Sequence, residues 1–108
     1  MVAIGGSNGQ LILFDLVQRR VLRDVRAHEK AIYHLKFSPF FENLLASGSE
    51  DFKVTLYTVA ELKPIFVHQG HTMPITDLKF HPLVPNLIGS CAEDNSLQFW
   101  WPSENAFK

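Results

Sequence analysis

The fold of this chain is decided by residues 71–100, HTMPITDLKFHPLVPNLIGSCAEDNSLQFW. The stretch holds a His, a Ser and an Asp, the residue types of a hydrolase triad. In a triad one base activates one nucleophile and one acid orients the base, so the set is needed once. Sliding the chain by 43 residues shows that the set recurs. His28 falls on His71, Ile32 on Ile75, Leu35 on Leu78, Lys36 on Lys79 and Phe37 on Phe80. Pro39 falls on Pro82, Asn43 on Asn86, Leu44 on Leu87, Ser47 on Ser90, Glu50 on Glu93 and Asp51 on Asp94. That is 11 identities over the 30 positions 28–57, with no gap. The same shift carries Gly5 to Gly48, Asn8 to Asp51, Leu13 to Leu56 and Phe14 to Tyr57. Recurrence is what a structural device shows, because every repeat must satisfy the same buried polar groups. A hydrolase using His71, Ser90 and Asp94 is the disfavoured alternative.

Within each repeat the apolar period is two. IYHLKF and ITDLKF alternate, and KVTLYT and SLQFWW are rich in β-branched and aromatic residues. NLLASGS and NLIGSCA read as short strands buried on both faces. VLRDVR and PIFVHQ read as a fourth strand, and no segment carries a helical stripe. Asn8-Gly9 is a hairpin signal, and Glu-Asp-Phe and Glu-Asp-Asn occupy the same place in the other copies. Four antiparallel strands in about 43 residues is the blade of a β-propeller. The expected class is all-β: about two and a half four-stranded blades of an incomplete propeller. Residues 1–26 are expected to form part of a blade, 27–69 a full blade, 70–101 part of a blade, and 102–108 a tail.

Composition narrows the function. The chain has 108 residues, 46% apolar and 19% charged, as a small globular domain does. A net charge of −1 gives no electrostatic reason to expect direct nucleic-acid binding. No apolar run approaches the ~18 residues of a membrane span, and MVAIGGSNGQ lacks a basic leader segment. The one cysteine, Cys91, excludes an internal disulfide and fits a nuclear and/or cytoplasmic home. Cys91 is expected in a buried, inert position. His68 and His71 lack the Cys pair or carboxylate cluster of a zinc site, so neither a metal nor another cofactor is expected. Arg19, Arg20, Arg23 and Arg26, alternating with Val21 and Val25, read as a solvated edge strand. In Pro-Phe-Phe at 39–41, one ring is expected to plug the core while the other faces a partner.

These repeats resemble WD repeats. The resemblance implies a hydrogen-bonded tetrad: a His before the first strand, a Ser in the second, an Asp in the next turn and an aromatic residue in the third. One set is His71, Ser90, Asp94 and Trp100; the other is His28, Ser47, Asp51 and Tyr57, with Ser49 an alternative to Ser47. The closing dipeptide becomes Phe14-Asp15, Tyr57-Thr58 and Trp100-Trp101, and Phe14 cannot donate a hydrogen bond. A WD propeller closes at roughly 300 residues, so the chain is expected to be part of a longer protein or to be completed by another chain.

The tetrad places the loop before the first strand and the turn after the second at one end of the blade. That end would present Glu29, Lys30, Thr72 and Met73, with Glu50, Phe52, Glu93 and Asn95 flanking the two Asp residues. Carboxylates beside aromatic faces suit a basic, extended peptide. The alternative is that they are ordinary turn residues. FVHQGHTMPITDLKFHPLVPNLIGSCAEDNSLQFWWPSENAF looks like the last repeat of the retinoblastoma-associated histone-binding WD-repeat proteins. AHEKAIYHLKFSPFFENLLASGSED is similar to the repeat before it. That resemblance implies a non-enzymatic, histone-binding scaffold in a multi-subunit chromatin complex, with Glu50, Phe52, Glu93 and Asn95 receiving histone tails. The family's histone-helix groove needs an acidic insertion, whereas TVAELKPIF is a short connection. A ribosome-assembly or other generic WD scaffold is the alternative, because its glutamate-rich WD-repeat members share FVHQG.

Overall fold

The computed structural model describes residues 2–39, 43–81 and 87–100. Phe40, Phe41, Pro82, Pro85, Trp101 and the 102–108 tail lie outside the described residues, and with them the expectation for the paired phenylalanines.

Ten strands follow one another: β1 (Val2–Gly5), β2 (Gln10–Asp15), β3 (Arg20–Arg26), β4 (Ile32–Phe37) and β5 (Leu44–Ser49). Then come β6 (Val54–Thr58), β7 (Pro64–His68), β8 (Ile75–Phe80), β9 (Ile88–Ala92) and β10 (Leu97–Trp100). They form three antiparallel sheets in the orders β1-β2-β3, β4-β5-β6-β7 and β8-β9-β10. Neighbours in sequence pair through short turns, so each sheet is a meander, the architecture of a propeller blade.

The sheets stack face to face around the middle one. Leu45, Tyr57, Val59 and Leu62 of the middle blade meet Leu11 and Leu13 of the first. On its other face Leu44, Ala46, Val54 and Leu56 meet Ile75, Leu78, Ile88 and Trp100 of the third. β5 is therefore buried at every position. Both seams use one device. A Cβ on Gly5 would lie 2.7 Å from Ile32 Cγ2, and a Cβ on Gly48 would lie 2.8 Å from Ile75 Cγ2. Each glycine lets the next blade's leading isoleucine seat against the backbone.

Two expectations change. NLIGSCA is not buried on both faces: β9 alternates buried and half-buried positions, and Cys91 is half-buried. No described strand covers the face bearing Cys91, Leu97 and Phe99, and the last two are 58% and 66% exposed. On β3 the inward residues are Leu22 and Val25, while Val21 is exposed. The β2–β3 register shifts between Leu13 and Phe14, and this bulge breaks the simple alternation.

The turn after the second strand is the same in each blade. Gly9 N–H donates to Gly6 O, Phe52 N–H to Ser49 O and Asn95 N–H to Ala92 O. The donor residue is left-handed each time: φ is 85° at Gly9, 73° at Phe52 and 65° at Asn95.

Candidate functional site

In the middle blade the turn positions an acid beside the histidine that precedes the blade. In the middle blade His28 Nδ1–H donates to Asp51 Oδ2 at 2.8 Å. Its Nε2 accepts from Ser47 Oγ at 2.5 Å, and the Tyr57 hydroxyl lies 2.9 Å from the same Oγ and 3.3 Å from Nε2. Asp51 Oδ1 also accepts the Lys53 amide at 3.1 Å, which fixes the turn. The structure thus brings His28, Ser47, Asp51 and Tyr57 together. Ser49 is occupied elsewhere, donating to Ala31 O at 2.6 Å. Burial pushes the His28 pKa below its ordinary value, against the raising effect of Asp51. Burial also raises the Tyr57 pKa, so its hydroxyl keeps its proton.

The third blade closes differently. His71 Nε2 meets Ser90 Oγ at 2.6 Å, and Trp100 Nε1–H donates to the same oxygen at 3.2 Å. The partner of His71 Nδ1 is Ser96 Oγ, at 3.1 Å, where Asp94 is expected by analogy with Asp51. Asp94 is exposed; it accepts the Ser96 amide at 2.9 Å and the Thr72 hydroxyl at 3.2 Å. The Ser96 bonds hold its carboxyl below the usual range. Ser96 thus stands between imidazole and carboxylate, its hydroxyl on His71 and its amide on Asp94. Lys53 stands at its place in the middle blade. An ammonium has no lone pair to receive an imidazole N–H, so there the carboxylate receives it directly. Ser96 carries no repeat identity, so nothing in the 43-residue match singles it out.

Ser47 and Ser90 are 0% and 1% exposed, so neither hydroxyl is open to a substrate. The His–Ser pairs clasp blades. His68, expected as a plain strand residue, stacks on Trp100 with centroids 4.5 Å apart and rings 4° from parallel. Its Nε2–H donates to Gln98 Oε1 at 2.7 Å, and Gln98 Nε2–H donates to Gly70 O at 2.8 Å. The second seam is locked by these contacts. The first blade has Ile4 and Phe14 where the middle blade has Ser47 and Tyr57, so it cannot build the same clasp.

The clasps bring the expected binding loops to one end. Glu50 N–H donates to Ala31 O, and Glu93 N–H to Pro74 O, tying each of these turns to the loop before the first strand of its own blade. Phe52, Glu93 and Asn95 are exposed there, and Glu50 is half-buried. Tyr33, not singled out in the sequence, joins them. Its hydroxyl donates to Glu50 Oε2 at 2.7 Å, and the residue is 50% exposed. That bond, and the charges of Glu50 and Glu93, raise its pKa. One carboxylate, Glu50, therefore holds an exposed aromatic ring at this end.

Comparison with known proteins follows the same lines. The family model "WD domain, G-beta repeat" matches residues 19–58 and 62–100. The human DDB1- and CUL4-associated factor 5 is 42% identical over 57 residues, 53% of this chain and 6% of that protein. The Arabidopsis thaliana WD-40 repeat-containing protein MSI3 is 37% identical over 57 residues, 53% of this chain and 13% of that protein. The chain thus spans a small fraction of the length of these relatives. Two computationally designed proteins, Ika8 and Ika4, share the fold at TM-scores of 0.80 and 24% identity. The match covers 93% of this chain and 30% of Ika8, and 94% of this chain and 59% of Ika4. Repeated blades, recurring clasps and two successive matches to one repeat model lead to one conclusion: the chain belongs to the WD40-repeat family, as a protein-interaction scaffold built of β-propeller blades.

Proposed function

We propose that this scaffold is a histone-binding subunit of a multi-subunit chromatin complex in the nucleus, and that Glu50, Phe52, Glu93 and Asn95 receive an extended basic tail. The observation that carries this reading is the exposed Tyr33 ring bonded to the Glu50 carboxylate, with exposed Glu93 in the corresponding turn of the next blade. Glu50 bonds the Tyr33 hydroxyl at 2.7 Å, and Phe52 is exposed in the same turn. A lysine or arginine entering there finds anionic partners and ring faces together. The resemblance of the last two repeats to the retinoblastoma-associated histone-binding family supports the same partner class. Glu50→Lys combined with Glu93→Lys, in the full-length protein, is expected to weaken an unmodified histone H3 tail peptide at least tenfold in titration calorimetry. Added salt weakens the parent's binding, because the attraction is between charges. Arg23→Ala, on the outer strand β3, leaves it unchanged. Equal affinity of parent and double variant would remove the histone reading.

A second reading rests on the similarity to the human DDB1- and CUL4-associated factor 5. In that case the blades act as an adaptor in a ubiquitin-ligase assembly, and the full-length protein co-purifies with DDB1 whether or not Glu50 and Glu93 are reversed.

A further inference from the structure

Phe52 occupies a backbone position that its side chain disfavours. Its φ of 73° lies in the left-handed region, which a bulky residue seldom enters. The sister turns fill the position with Gly9 and Asn95, residues that enter it readily. The turn cannot relax around Phe52, because the neighbouring Asp51 must hold His28 and the Lys53 amide.

Two other side chains share a positive φ, and each shows how the strain can be offset or made harmless. Leu62, at 52°, is 3% exposed and packs into the core with Leu45 and Tyr57. Arg19, at 54°, is exposed and ends in a charged group that water solvates well. Phe52 has neither compensation. It is 38% exposed, belongs to neither core cluster, and among the described residues stacks on no other ring. A strained, exposed aromatic that folding does not use is a mark of a contact made outside the fold.

Resting on the basic-peptide reading above, we infer that Phe52 is the specificity anchor of that site: its ring receives the side chain of an arginine or lysine whose charge reaches Glu50. Phe52 and Glu50 sit two residues apart in one turn, with Asp51 between them withdrawn into the clasp. The ring supplies a cation–π face and the carboxylate a counter-charge, which together favour a cationic residue with a long apolar stem.

The test sets stability against binding in the full-length protein. Phe52→Asn, which copies the sister turn, is expected to raise the thermal midpoint by relieving the strain, and to weaken the histone H3 tail peptide at least tenfold. Phe52→Tyr keeps the ring and holds affinity within twofold of the parent. A residue that merely completes the turn cannot give higher stability together with lower affinity. If Phe52→Asn gains stability but binds as the parent does, while the Glu50 and Glu93 reversal still weakens binding at least tenfold, the anchor is wrong and the peptide site stands. A lower midpoint for Phe52→Asn would show the ring to be structural and overturn the inference. A parent that does not bind the peptide overturns both.

Discussion

The middle and third blades carry His, Ser and Asp at one spacing, yet they close their clasps differently. In the middle blade the imidazole reaches a carboxylate whose side chain is 8% exposed. In the third it reaches a hydroxyl, and the matching carboxylate stands in water beyond it. The blades differ beside the clasp at Lys53 against Ser96, and at Glu29 against Thr72, whose hydroxyl bonds Asp94. The lesson is that a repeat match fixes which side chains lie near one another. The partner each hydrogen bond takes is set by neighbours outside the match. The blades differ in packing too. The middle blade is covered on both faces, whereas the third has Leu97 and Phe99 exposed on one.

The packing difference gives the largest expected effect. Gly48→Val drives side-chain atoms into Ile75 at the second seam and is expected to destabilise by about 3 kcal/mol in denaturant melts. A loss below about 1 kcal/mol would mean that the seam yields easily, contrary to the close packing of protein interiors.

A smaller effect separates the two clasps at Lys53 and Ser96. Ser96→Ala removes the acceptor of His71 Nδ1–H and is expected to cost about 1–2 kcal/mol. Lys53→Ala, at the same repeat position, is expected to stay within about 0.5 kcal/mol, because its side chain takes no part in the clasp. Like losses at both positions would erase the distinction.

The smallest effect is in pH. Burial holds His28 and His71 below the ordinary imidazole value of 6.5. The folded protein then binds fewer protons than the unfolded chain, so this stability is full above pH 6.5 and is lost as pH falls through the depressed values. Asp51→Asn removes the charge that raises His28. Its pKa then drops further, and thermal melts from pH 8 to 5 should show a larger acid loss than the parent. A smaller acid loss would mean that burial does not dominate at His28.

Much of the fold is legible in the sequence. The 43-residue shift located the blades, because strands leave a period of two and turns leave Gly, Asn and Asp at fixed places. His28, Ser47, Asp51 and Tyr57 fall together as the WD-repeat resemblance implies. What stayed hidden was local. Ser47 and Ser49 are both buried, and only the register sends one to His28 and the other to Ala31. The β2–β3 bulge turns Leu22 inward in place of Val21, and bulges leave little trace in an apolar pattern. Cys91 reads as buried because NLIGSCA copies NLLASGS, yet burial depends on a neighbouring sheet that a strand's own sequence does not report. Tyr33 carries no repeat identity, and its bond to Glu50 joins groups 17 residues apart.

The central claim is that two clasps of like composition rest on different partners, and paired denaturant melts of Asp51→Ala and Asp94→Ala in the full-length protein test it most directly. Asp51→Ala strands the buried His28 N–H and is expected to cost about 2–3 kcal/mol. Asp94→Ala, which the repeat alone predicts to be equally harmful, should leave the transition nearly unmoved, because Ser96 still receives His71. Equal losses from the two substitutions would contradict the account.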